Sequence, residues 1–144
     1  MLQIHEDEVF SILTGKVSTA INRTFLRSFA QECIEITTEQ WSVMACLWKK
    51  DKVSQQTLCS LTSKDKPSMT RLIDNLEKRN LVMRMADKND RRNNLIHLTD
   101  DGIKLQEKAT EIVQNIAAKT LKNITEEELN VCRIVLKKIM TNLQ

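Results

Sequence analysis

The chain predicts a mainly α fold with one small β-hairpin wing, an α+β winged helix-turn-helix of about six helices. Three observations predict it. With 144 residues, Gly 2, Pro 1 and 3% aromatic residues, the chain lacks the turn and aromatic supply of a many-stranded sandwich or barrel. Apolar residues recur at helical spacing both before and after its centre. The centre itself, Lys64–Gly102 (KDKPSMTRLIDNLEKRNLVMRMADKNDRRNNLIHLTDDG), reads as a short basic helix followed by a hairpin with an arginine-bearing tip. Residues 1–144 suit one domain, long enough to bury about two-thirds of its unfolded surface without disulfides.

The elements follow in order. Phe10, Leu13, Val17, Ile21, Thr24 and Ser28 keep a helical repeat that Phe25 and Phe29 widen, which predicts a long first helix over about residues 6–32. In Ile36-Thr37-x-x-Gln40-Trp41 a capping box with a flanking hydrophobic pair starts the second helix. Ser54 caps a short third helix reaching about Leu61, and Thr62-Ser63-Lys64-Asp65 is the polar turn into the fourth. Met69, Leu72, Ile73 and Leu76 form one apolar stripe on that fourth helix, Pro67 fits its first turn, and Asp65 or Lys66 precedes it. The opposite face carries Arg71, Asp74, Asn75 and Lys78, with Ser68 and Thr70 at the N-terminal flank. Asn80 suits the left-handed position that ends a helix.

Leu81–Met85 and Asn94–Leu98 read as strands, and Ala86–Asn93 between them is polar and turn-rich. Its tip carries Lys88, Arg91 and Arg92 beside Asp87 and Asp90. Thr99 opens a fifth helix marked by Leu105, Ala109, Ile112, Val113 and Ile116. A second capping box, Thr125 with Glu128, starts the sixth, where Ile124 and Leu129 make the hydrophobic staple. Leu129, Cys132, Leu136, Ile139 and Leu143 alternate steps of three and four, a helix-to-helix seam. Val131 and Val135 add a second apolar edge, more than one partner would cover, so this helix is expected at a subunit interface, with intrachain core as the alternative.

The net charge of +3 says little about partners, but its distribution says more. Residues 1–40 carry three cations and six acids, residues 41–63 three and one, residues 64–92 nine and five, and residues 93–144 seven of each, for −3, +2, +4 and 0. Positive charge concentrates on the helix and hairpin, as a phosphate-binding face requires. A helix in the major groove needs cations and hydroxyls for phosphates and amide or guanidinium forks for base edges. Lys66, Ser68, Thr70, Arg71, Asn75 and Lys78 supply them. Arginines on a narrow ribbon enter the minor groove, where the potential is most negative, so Lys88, Arg91 and Arg92, with Asp90 to hold a guanidinium, are the wing candidates. Double-stranded DNA is the expected partner.

These residues resemble the MarR-type (multiple antibiotic resistance regulator) transcriptional regulators, a family of dimeric winged-helix proteins. The resemblance rests on Asp65-Lys66-x-Ser68-x-Thr70-Arg71-Leu72-x-Asp74-x-Leu76-Glu77-Lys78-Arg79, then Leu81-Val82-x-Arg84, Asp90-Arg91-Arg92 and Leu98-Thr99-x-x-Gly102. Ile36-Thr37-Thr38-Glu39-Gln40-Trp41 looks like the family's entry to its second helix, and Val53-Ser54-Gln55-Gln56-Thr57-Leu58 like the entry to its third. Asn80 stands where the family usually has Gly, and Cys59 where a small Ala is usual. The resemblance implies a DNA-binding part over residues 37–98 and dimerisation helices over 1–36 and 99–144. Phe10 and Leu13 would then join Leu129, Cys132, Leu136, Ile139 and Leu143 in the dimer interface. It also implies a repressor on a pseudo-palindromic operator, relieved by a small-molecule effector, often aromatic or phenolic in the family; no motif names pocket residues.

Catalytic signatures are missing: there is no phosphate loop, Gly-rich dinucleotide fingerprint, His-Glu-x-x-His or Gly-x-Ser-x-Gly. His5 and His97 lie far apart without zinc-spaced neighbours. No enzyme activity, metal or cofactor is therefore expected. Cys33, Cys46, Cys59 and Cys132 contain no Cys-x-x-Cys pair, and the last three lie on or beside apolar stripes. Glu32 and Glu35 disfavour a Cys33 thiolate, which leaves a thiol-redox-responsive regulator as an alternative reading. A winged-helix protein-interaction module without DNA binding is the other. No apolar run approaches the ~20 residues needed to cross a bilayer and the acidic N-terminus is unlike a signal peptide, so a cytoplasmic location is expected.

Overall fold

The computed structural model describes residues 15–90 and 94–143. Over these the order is α1 (Lys16–Gln31), α2 (Thr38–Lys49), β1 (Val53–Ser54), α3 (Gln55–Thr62), α4 (Lys66–Lys78), β2 (Val82–Ala86), β3 (Asn94–Leu98), α5 (Asp100–Thr120) and α6 (Glu126–Asn142). Phe10 and Leu13, the first turns expected for helix one, His5, and the wing residues Arg91 and Arg92 lie outside the described residues.

Local chemistry sets the boundaries. The Thr37 hydroxyl accepts the Gln40 N–H while Gln40 Oε1 accepts the Thr37 N–H, and Thr125 and Glu128 repeat this exchange at α6. Ser54, Asp65 and Thr99 each cap their helices by accepting the N–H three residues on. At the end of α4, Asn80 has φ 55°. Asn80 N–H bonds the Glu77 carbonyl and Leu81 N–H the Leu76 carbonyl, the Schellman pairing that turns the chain into β2.

The three strands form an antiparallel sheet in the order β1-β3-β2, with Val53 opposite Ile96 and Val82 opposite Leu98. The hairpin was legible in the sequence. β1 was not, because two residues show no alternation and are held only by their partner. The observed β2 also runs one residue later than expected, since Leu81 belongs to the helix-terminating turn.

The core joins α2, α3 and α4 to the sheet through Val43, Met44, Leu47, Leu58, Met69, Ile73, Leu76 and Ile96, all essentially inaccessible to solvent. In α1 the expected stripe is corrected. Phe25 and Phe29 are buried and stacked with ring centroids 4.2 Å apart, while Val17 and Ile21 remain exposed. Aromatic area outweighs the small hydroxyl residues Thr24 and Ser28, so the buried side rotates toward the phenylalanines. No residue of α6 is buried within the chain.

Candidate nucleic-acid interface

The fourth helix presents two unlike sides. Met69, Leu72, Ile73 and Leu76 sit in the core, while Lys66, Ser68, Arg71, Asn75 and Lys78 are exposed. Apolar burial thus fixes the helix's rotation, and the polar set falls on one solvent face. Asp65 caps it, and the hydrogen bonds from Ser68 hold the Asp65 carboxyl below the usual carboxylate range.

Two residues read from the sequence as polar-face groups are engaged within the protein. Thr70 is half-buried; its hydroxyl donates to the Lys66 carbonyl at 2.9 Å and accepts from Gln55 Nε2 at 2.6 Å. Asp74 is paired with Arg84, whose Nη2 lies 2.6 Å from its Oδ1. The other Arg84 nitrogen, Nη1, lies 2.6 Å from Glu77 Oε2, and Glu77 Oε1 accepts the Arg84 backbone N–H at 3.0 Å. One guanidinium therefore bolts the first wing strand to two successive turns of α4. Sequence reasoning quoted Arg84 only as part of a motif and assigned it no contact. The available signal was its position two residues after Val82, on the same face of β2, where a half-buried cation requires a carboxylate partner.

Between α3, α4 and the wing lies an open cleft of about 780 Å³, lined by Ser54, Gln55, Lys66, Thr70, Arg84 and Asn94 among others. The capped start of α3 thus borders the same cleft as the start of α4. On the wing, Lys88 and Asp90 are exposed, and Asp87 Oδ1 accepts the Asn89 N–H at 2.9 Å.

Behind this face the reading head is locked to α5. The Thr99 hydroxyl donates to the Asn80 carbonyl at 2.5 Å, Trp48 Nε1 donates to the Gly102 carbonyl at 2.9 Å, and Asn80 Nδ2 donates to Asp101 Oδ2 at 2.9 Å. Any Cβ at Gly102 would overlap the Leu81 carbonyl oxygen. That contact explains a glycine inside a helix start, where it is otherwise unfavourable.

Of the seam residues on α6, Leu129 is half-buried and Cys132, Leu136, Ile139 and Leu143 are exposed. Cys132 and Leu136 line a groove of about 780 Å³ opposite Val17 and Ile21 of α1. Cys33 is also exposed, Cys46 and Cys59 are half-buried, and all four cysteines are unbridged. Among the described residues no cluster of three His, Cys, Asp or Glu side chains that could hold a metal occurs, and no helix is long and apolar enough to cross a membrane.

The geometry agrees with what comparison finds. The MarR family model matches residues 36–93, the span from the cap of α2 through the wing. The chain carries a MarR-family domain over that span. The multiple antibiotic resistance protein MarR of Escherichia coli (strain K12) is 28% identical over 108 residues, covering 74% of this chain and 75% of that protein. A crystal structure of an E. coli MarR cysteine-to-serine mutant complexed with operator DNA superposes with a TM-score of 0.82 and 25% identity, covering 93% of this chain and 95% of that one. A Bordetella bronchiseptica structure, BpsR, described by the regulation of its DNA binding by 6-hydroxynicotinic acid, shares the fold with a TM-score of 0.83, 22% identity and coverage of 96% and 98%. The family whose model matches consists of transcriptional regulators rather than enzymes, and the chain shares their winged helix.

Proposed function

We propose that the chain is a ligand-responsive repressor that binds a pseudo-palindromic operator as a homodimer. Lys66, Ser68, Arg71, Asn75 and Lys78 meet the major groove, with Thr70 positioning the start of α4 through Gln55. Lys88, Asp90, Arg91 and Arg92 serve the minor groove from the wing. The observation that carries this reading is the solvent-facing polar side of α4, held in register with the wing by the Arg84 clamp. An interaction module has no use for a cationic reading face so rigidly aimed. E. coli MarR, similar in sequence and in fold, has been captured on operator DNA.

Dimerisation is supported by α6, where Leu136 and Leu143 are 57% and 78% exposed in the isolated chain. A helix with such a face needs a partner. Residues 1–36 and 99–144 form the dimer base and residues 37–98 the reading head. A ligand lodged between base and head shifts the separation of the two heads, and operator affinity falls by linkage.

The test is a mobility shift with the intergenic DNA beside the protein's own gene at two salt concentrations. Phosphate-driven binding weakens steeply with salt. Arg92→Ala is expected to weaken binding without dissociating the dimer, and unchanged affinity rejects the wing assignment. Arg71→Ala is expected to cost ~1–3 kcal/mol on the preferred sequence and less elsewhere if it reads a base edge.

A further inference from the structure

The outer face of the wing hairpin carries a set of donor atoms that DNA recognition does not use. Side chains alternate along a strand. Val82 and Ile96 are buried and Arg84 reaches α4, so Met83 and Met85 of β2 and Leu95 and His97 of β3 occupy the opposite face. The register sets His97 directly across from Met83 and Leu95 across from Met85. Opposed residues have Cβ atoms about 4.5–5.5 Å apart and diagonal neighbours lie about 7–8 Å apart, so two thioethers and one imidazole reach a common point above the sheet. Methionine is out of its usual place here. Met44 and Met69 fill the core, whereas Met83 and Met85 are 40% and 47% exposed, on a face where an antiparallel strand ordinarily turns polar residues to water. His97 is half-buried, and among the described residues no hydrogen bond or ion pair engages its ring. Neither strand contains a carboxylate or a thiol.

We propose that Met83, Met85 and His97 form a surface site for a soft monovalent metal ion, copper(I), for which silver(I) is a redox-inert stand-in. Thioether sulfur is a soft, polarizable donor that selects copper(I), and imidazole suits the same ion. Magnesium, calcium and manganese prefer oxygen ligands, and zinc sites draw on thiolate, imidazole and carboxylate, of which this face offers His97 alone. Three neutral donors leave a monovalent ion with one positive charge, which solvent covers at a half-exposed site. A divalent ion in the same place keeps twice that charge with no anion to offset it. Binding transfers no electron and displaces only water. The ion ties β2 to β3 on the side of the sheet away from the Arg84 clamp. Spacing along the sequence does not show the site, because it forms only across paired strands. The inference stands apart from the DNA-binding and ligand-responsive readings above.

The experiment is a silver(I) titration of the full-length protein, isotopically labelled at its methionine methyl groups and followed by NMR. Each thioether is then read separately from the unbridged cysteines, which also take up silver. Once the thiols are filled, the Met83 and Met85 signals are expected to shift together and saturate at one silver concentration, while Met44 and Met69 stay in place. Copper(I) added without oxygen is expected to reproduce the shifts, and zinc to leave them unmoved. His97→Ala removes one donor of the chelate, so the silver concentration at half-shift is expected to rise about tenfold or more. Met83→Leu keeps the apolar bulk, and is expected to do the same to the Met85 signal while the melting temperature holds. Met83 and Met85 signals that stay fixed while the thiols fill, that shift at separate silver concentrations, that respond as readily in His97→Ala, or that ignore copper(I) overturn the inference.

Discussion

Replacing Arg84 by Met removes the guanidinium that ties β2 to α4 while keeping a side chain of similar length. Arg84 is 23% exposed, and its partners Asp74 and Glu77 are 47% and 39% exposed. Both acids are wet enough for solvent to screen the attraction, so each pair is assigned about 1 kcal/mol, the upper end for exposed ion pairs. The two together give about 2 kcal/mol, and the two carboxylates left facing each other do not reduce the loss. For a chain of this length that corresponds to a fall in Tm of about 4–8 °C. The wing also loses its register with α4, so operator affinity is expected to fall about tenfold, near 1.4 kcal/mol. Melting followed by circular dichroism and a mobility shift measure the two effects. A double-mutant cycle with Asp74→Asn is expected to give a coupling of about 0.5–1 kcal/mol. Zero coupling, with Tm changed by less than about 1 °C, would falsify the clamp.

Other substitutions probe the remaining joints. Gly102→Ala is expected to destabilise the chain by more than about 3 kcal/mol, because its methyl group meets the Leu81 carbonyl at a junction with no room to yield; chemical denaturation reads the loss. Leu136→Glu together with Ile139→Glu is expected to convert the dimer to monomer in sedimentation while leaving the chain folded, because both residues are exposed within one copy. Acid titration tests the caps: hydrogen bonds from Ser68 and Thr125 lower the carboxyl pKa values of Asp65 and Glu128. Carboxyls depressed on folding contribute stability that is present above their unfolded value, about 4, and lost as pH falls through the lowered folded value. The Tm of the native chain is therefore expected to drop more steeply below about pH 4 than that of Asp65→Asn, and parallel curves count against the cap's ionic character.

Much of the fold was legible because it is local. Capping boxes at Thr37 and Thr125 and the left-handed Asn80 each depend on a few adjacent residues and occur where the pattern placed them, and of Asp65 and Lys66, both offered as the residue before α4, Asp65 is the cap. The core face of α4 was legible for the same reason. What the sequence hid is held by long-range partners. β1 exists only because Ile96 and Leu95 lie opposite Val53 and Ser54. Asp74 and Thr70 carry the right chemistry for DNA, yet Arg84 and Gln55 engage them from other elements. The burial of Phe25 in place of Thr24 follows from how α1 meets α2 and α5, which spacing alone leaves undecided.

The most direct test of a paired reading device is hydroxyl-radical footprinting of the shared promoter, with the oligomeric state measured by sedimentation at the same protein concentration. The account expects a dimer that protects two patches on one face of the duplex, with centres about 34–36 Å apart, both lost together when Arg71 is replaced by Ala. One isolated patch bound by a monomer, or protection indifferent to that substitution, contradicts it.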